Sequence, residues 1–189
     1  MRYSVFVTVV VFFLAVSCQS VASPERVPNL ASVQAAAAEV GKEDLLFGKH
    51  ADRPVPVASI TKLMTALVVV ESGQDMDEWL TFEERHVEAA ANAWSRIRVG
   101  SQLRRRDVLR IALMSSENFA AYTLARTYPG GFDGFVAEMN ATAKALGMAQ
   151  TRFVDPTGLS AGNVSTAADL VILARAALKH PEIREASTT

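Results

Sequence analysis

The 189-residue sequence predicts an α+β fold dominated by helices. Three observations lead there. Residues 59–71 are apolar nearly all the way round a helix, so they belong in a core rather than on a surface. Residues 107–114, 119–127, 132–146 and 166–179 carry helical character as well. Residues 95–101 alternate and then turn, as an edge strand does. The length allows one domain with a real hydrophobic core and is too short for two ordinary ones.

Taken in order, the chain opens on a different composition. Arg2 supplies a positive start, residues 5–16 are apolar apart from Thr8, and Ser20-Val21-Ala22 offers small residues for cleavage. Residues 1–22 therefore read as a secretory signal, too short in its apolar run to serve as a lasting membrane span. A rival reading lipidates Cys18, but Ala15 stands where a lipoprotein signal normally has leucine. Cleavage after Ala22 removes the single cysteine and leaves no disulfide or thiolate metal site. Export without cysteines suits a bacterial periplasm.

Residues 23–31 form a polar leader with two prolines. Residues 32–49 are ambiguous: Ala35-Ala36-Ala37-Ala38 favours helix, whereas Gly41-Lys42 resembles a turn between extended runs. Pro54 and Pro56 exclude helix interior from 51–57, and Gly73 ends the apolar helix. Gly147 stops the helix at 132–146, and Asp155-Pro156-Thr157-Gly158 is a turn. Thr166-Ala167-Ala168-Asp169 is a capping box whose helix halts at Pro181.

With 19 basic and 20 acidic residues and a net charge of -1, nothing suggests a nucleic-acid partner. The one dense basic cluster, Arg104-Arg105-Arg106, reads as a solvated helix start.

Two polar motifs carry chemistry. In Ser59-Ile60-Thr61-Lys62, a helix beginning at Ser59 puts Lys62 one turn along the same face, within reach of the hydroxyl. Burial and the positive end of the helix both disfavour the ammonium form, so the amine can act as a base near neutral pH. The plain alternative is an N-cap serine with a surface lysine. Against it, Ile60, Leu63, Met64 and Leu67 surround Lys62, where an idle ammonium is costly. In Ser116-Glu117-Asn118, a hydroxyl and a carboxamide can face one point between two helices; the alternative is helix capping by Ser and Asn. His50, His86 and His180 lack metal-ligand spacing, and neither a Gly-x-Ser-x-Gly elbow nor a glycine-rich phosphate loop occurs, so no metal or cofactor is expected.

These residues match a family. Val57-Ala58-Ser59-Ile60-Thr61-Lys62-Leu63-Met64-Thr65-Ala66 closely resembles the active-site helix of the low-molecular-mass penicillin-binding proteins, the D-alanyl-D-alanine carboxypeptidases and endopeptidases. Leu113-Met114-Ser115-Ser116-Glu117-Asn118 resembles their second motif, with Glu117 closer to the endopeptidase branch. Tyr128-Pro129-Gly130-Gly131, Ala143-Lys144-Ala145-Leu146-Gly147-Met148 and the stretch 151–160 follow in family order. The resemblance implies a β-lactamase/DD-peptidase-like (transpeptidase-like) fold over 32–189, with a helical subdomain and residues 32–49 as a β-hairpin. It implies peptidoglycan stem peptides or cross-links as substrate, and β-lactams as acylating inhibitors. Ser59 is then the nucleophile and Lys62 takes its proton. Ser116 passes a proton to the leaving amine, Asn118 binds the substrate amide, and the Ser59 N–H is an oxyanion donor.

One departure from the family is serious. Its Lys-Thr-Gly or Lys-Ser-Gly strand is missing: the lysines are followed by Glu43, His50, Leu63, Ala145 and His180. Family members continue past Ser187-Thr188-Thr189, so the expectation is a C-terminally truncated domain, lacking sheet strands and inactive or nearly so by itself. Two alternatives stand beside this one. A serine β-lactamase or esterase of the same superfamily needs a water-activating glutamate, for which no convincing candidate exists. A non-catalytic remnant that binds wall peptides needs no further motif.

Overall fold

At the centre lies α1, Thr61–Glu71, whose sequence gives a helix with no polar side to turn outward. The structure, a computed structural model, describes residues 29–86 and 94–188. Residues 1–22, with Cys18, and most of the leader lie outside them. Met64, Ala66, Leu67, Val68 and Val69 are buried along α1. Around it pack α2 (Arg105–Met114), α3 (Asn118–Arg126), α4 (Gly131–Ala145), α5 (Ala167–Ala177) and α6 (Pro181–Thr188). Full burial of each large aliphatic side chain contributes about 1.5–3 kcal/mol, so α1 is a principal source of the cohesion of this helical body. Gly73, at φ 67, lies just past the end of α1.

Three short antiparallel pairs complete the architecture. β1 (Ala35–Ala38) pairs with β2 (Leu45–Lys49), β3 (Val55–Pro56) with β6 (Val164–Ser165), and β4 (Trp79–Thr81) with β5 (Gln102–Arg104). The alanine run is therefore strand, not helix: Gly41 at φ 85 closes the turn, and Ala35 lies opposite Lys49. This hairpin packs on α5. Arg175 of α5 donates to the carbonyls of Glu43 at 2.7 Å and Asp44 at 3.2 Å. Val33, Val40 and Leu46 remain exposed.

Three expectations are corrected. Residues 95–101 are bends and turns rather than strand; Gly100 sits at φ 86, and the ladder partner of Trp79–Thr81 is the next segment, Gln102–Arg104. Alternation marks a strand only where a neighbour runs beside it, and here that neighbour lies further along the chain. Arg105 is wholly buried rather than solvated. Its guanidinium pairs with Glu78 and donates to the Asp75 carbonyl at 3.2 Å and Thr127 Oγ1 at 3.3 Å. Pro181 does more than halt α5: it opens α6, since a missing N–H costs nothing in a first helical turn. Half of the capping box stands: Asp169 N–H donates to Thr166 Oγ1 at 3.0 Å, while Asp169 Oδ2 accepts from Gln150 N–H at 3.0 Å and Thr151 Oγ1 at 2.7 Å instead of turning back to Thr166.

Candidate active site

The site forms where the chain enters α1. Val57 N–H donates to the Asn163 carbonyl at 3.0 Å, Ala58 takes a left-handed φ of 45, and a 3-10 turn, Ala58–Ile60, leads directly into the helix. That entry leaves Ser59 exposed and turns Lys62 inward, where only 2% of it is accessible. Lys62 Nζ lies 3.2 Å from Ser59 Oγ, as their one-turn separation predicts.

Two further oxygens hold the amine. Lys62 Nζ donates to Asn118 Oδ1 at 2.8 Å and to the Thr157 carbonyl at 2.7 Å. Neither oxygen carries a proton, so both contacts consume an N–H. The third direction faces Ser59 Oγ: an ammonium would place its last proton there, and a neutral amine places its lone pair there. Burial lowers the Lys62 pKa from 10.5 to about 8, against the opposing pull of Asp155 and then Glu117. Near neutral pH a usable fraction of the amine is therefore free to accept the hydroxyl proton.

Of the four residues singled out from sequence, Ser59, Lys62 and Asn118 join in one hydrogen-bonded set. Ser116 stands in the adjoining loop, exposed and at φ 51, with no hydrogen bond to that set. Capping at this loop belongs to Glu117, not to Ser or Asn: its Oε2 accepts from Ala120 N–H at 2.6 Å. Sequence reasoning passed over the 155–163 turn as a contributor, because Thr157 acts through its backbone carbonyl, 95 positions beyond Lys62. Among the described residues no cluster of three or more His, Cys, Asp or Glu side chains could hold a metal ion.

A buried amine one helical turn from an exposed hydroxyl is a geometry in which the amine can activate the hydroxyl as a nucleophile. The chain belongs to the D-alanyl-D-alanine carboxypeptidase family, whose family model matches residues 20–189. It is 45% identical to a D-alanyl-D-alanine endopeptidase of Pseudomonas aeruginosa, over 96% of this chain and 61% of that protein. With the D-alanyl-D-alanine endopeptidase of Escherichia coli the identity is 44%, over 93% and 56%. The chain thus spans only about three-fifths of the length of these relatives. Penicillin-binding protein D2 of Listeria monocytogenes, in its cefotaxime-bound form, superposes with a TM-score of 0.74 at 34% identity, covering 86% of this chain and 69% of that one.

Proposed function

We propose that this protein is a serine-type D-Ala-D-Ala peptidase, a carboxypeptidase or endopeptidase acting on peptidoglycan stem peptides or cross-links in the periplasm. The observation that carries the reading is the Lys62 amine, buried, depressed in pKa and 3.2 Å from Ser59 Oγ. In the forward step the Ser59 hydroxyl proton passes to Lys62 as Oγ bonds to the D-alanyl carbonyl carbon. Collapse of the tetrahedral intermediate breaks the carbon–nitrogen bond, and the leaving amine takes a proton relayed through Ser116. Water then hydrolyses the ester and restores Ser59. Asn118 orients the substrate amide, and the Ser59 N–H faces the developing oxyanion. β-Lactams acylate Ser59 in the same way, with the opened ring held on the ester. The signal at 1–22 delivers the protein across the inner membrane; among the described residues no helix is long and apolar enough to span one.

Within the present sequence no lysine begins a Lys-Thr-Gly or Lys-Ser-Gly triplet. An oxyanion donor supplied by that strand is worth roughly 10²–10³ in rate, so the 189-residue chain by itself acylates slowly. Intact-mass analysis with benzylpenicillin tests both statements. The expected result is one slow equivalent of adduct, mapped to Ser59 and lost in Ser59→Ala. An adduct on another residue counts against the nucleophile, and saturation within minutes counts against the impaired rate. Rapid nitrocefin turnover would point to a β-lactamase instead. That alternative finds no support at Glu117, whose carboxylate is occupied in capping α3.

A further inference from the structure

The start of α1 is held largely by a segment far away in sequence. Residues 155–160 wrap around one carboxylate. Asp155 Oδ1 accepts from Thr157 N–H at 2.6 Å, Thr157 Oγ1 at 2.6 Å and Gly158 N–H at 2.8 Å, while Oδ2 accepts from Ser160 N–H at 3.0 Å. Three carbonyls or contacts of this turn then meet the helix entry. Pro156 O accepts from Thr65 Oγ1 at 2.7 Å, and Thr157 O accepts from Lys62 Nζ at 2.7 Å. Gly158, at φ 82, lies so close to Ala58 that an added Cβ would fall 1.9 Å from the Ala58 carbonyl oxygen.

The far side of the turn is fixed independently. Buried Asn163 accepts from Val154 N–H at 2.7 Å and Asp155 N–H at 3.1 Å, and donates to the Asp155 carbonyl at 2.8 Å. It also donates to Thr61 Oγ1 at 3.0 Å, which ties the turn to the first residue of α1.

We propose that Asp155 is a positioning residue for Lys62: its carboxylate folds the 155–160 turn so that the Thr157 carbonyl meets the amine and Gly158 seats against Ala58, the residue before the nucleophile. The inference rests on the reading of Lys62 as the base for Ser59, and extends it to a side chain that touches neither reacting atom. An aspartate suits the task because a carboxylate accepts only. Four converging donors leave no place for a side-chain N–H or O–H. Its charge has a second consequence. Asp155 from this turn and Glu117 from the loop before α3 are the charged groups acting on the Lys62 amine, and both favour its protonated form. Asp155 thus balances the burial that deprotonates Lys62, and holds the pKa at about 8 instead of lower.

The test compares Asp155→Asn and Asp155→Ala with the native chain. Carbon-13 lysine labelling and a pH titration by NMR read the Lys62 pKa directly, with Lys62→Arg for assignment, and need no turnover. Asparagine keeps Oδ1 for Thr157 and Gly158, removes the charge and sets an amide N–H against Ser160 N–H, so Lys62 should titrate below its native value while the turn is loosened on one side only. Penicillin adduct formation should then have its acid limb moved to lower pH, with a reduced plateau. Alanine removes all four acceptors and should slow the adduct about a hundredfold, the scale of an ångström-sized misplacement. A purely architectural Asp155 would lower the plateau and leave the limb in place. An unchanged Lys62 titration in both variants, or a native adduct rate in Asp155→Ala, overturns the proposal. If the native chain forms no Ser59 adduct while Asp155→Asn still lowers the Lys62 pKa, the catalytic reading fails and the hold of Asp155 on the amine stands.

Discussion

Two loops deliver oxygens to the same amine, and they are built in opposite ways. The 155–163 turn is closed upon itself: Asp155 and Asn163 between them engage ten hydrogen-bonding contacts, the acceptor for Lys62 is a backbone carbonyl, and the turn presses directly on Ala58. The 115–117 loop leads to a side chain, Asn118 at the start of α3, through a short link that contains a residue at φ 51 and is tied mainly by the Glu117 cap. One loop is a floor that cannot move without disturbing α1. The other is a wall whose working group swings on two side-chain torsions. On the proposed roles, rigidity is concentrated where the base would be held, and side-chain freedom where a substrate amide would be accommodated.

Breaking the floor should have the largest effect. Gly158→Ala places a methyl group 1.9 Å from the Ala58 carbonyl and keeps a left-handed backbone that alanine adopts at a cost of about 1–2 kcal/mol. Relief of the clash must move Ala58, Ser59 or the turn. The expected result is a loss of about 3 kcal/mol or more in thermal or urea unfolding, with no Ser59 adduct. A variant of native stability would show that the turn yields easily and that the comparison is mistaken.

Breaking the wall should reverse the balance between stability and chemistry. Asn118→Ala removes one acceptor from Lys62 and leaves the backbone of α3 capped by Glu117. About 1 kcal/mol of stability should be lost, the usual net worth of one hydrogen bond. Adduct formation should fall roughly ten- to a hundredfold, because the amine is no longer aimed from that side. Equal damage to stability and rate would make the two loops equivalent.

The same contrast explains what could be read from the sequence. Ser59 and Lys62 are legible because one helical turn brings them together, and α1 is legible because its apolar residues leave no wet face. Asn118 is half-legible, since its motif sits between two helices but its capping is done by the neighbouring glutamate. Asp155 and Gly158 were visible only as turn residues and Asn163 not at all, because their work reaches a helix start some hundred positions earlier in the chain. Arg105 misled for a related reason: its neighbours in sequence are charged and exposed, whereas its partner, Glu78, is 27 positions away. Local pattern reports local geometry, and the charges that burial tolerates are decided by distant partners.

Burial of the amine itself gives a smaller effect. The folded pKa of Lys62 is about 8 against 10.5 for an unperturbed lysine, so between those values the unfolded chain binds more protons. By linkage, stability therefore rises with pH across that window, and the penalty is full below about 8. Lys62→Met should lack this rise. The difference between the two unfolding profiles isolates Lys62 from other groups such as Tyr128, whose raised pKa acts with the opposite sign. Parallel profiles would mean that the amine is solvated in solution.

The smallest effect separates charge from architecture at the two loops. Glu117→Gln keeps an oxygen for Ala120 N–H and gives up only the charge, so α3 should lose a few tenths of a kcal/mol at its N-terminus. Lys62 should titrate lower than in the native chain, as in Asp155→Asn, but by less, because Asp155 exerts the stronger pull of the two carboxylates. The ordering matters more than either shift. If Glu117→Gln moves Lys62 further than Asp155→Asn does, the amine is governed electrostatically from the wall. The turn beneath it would then act through shape alone.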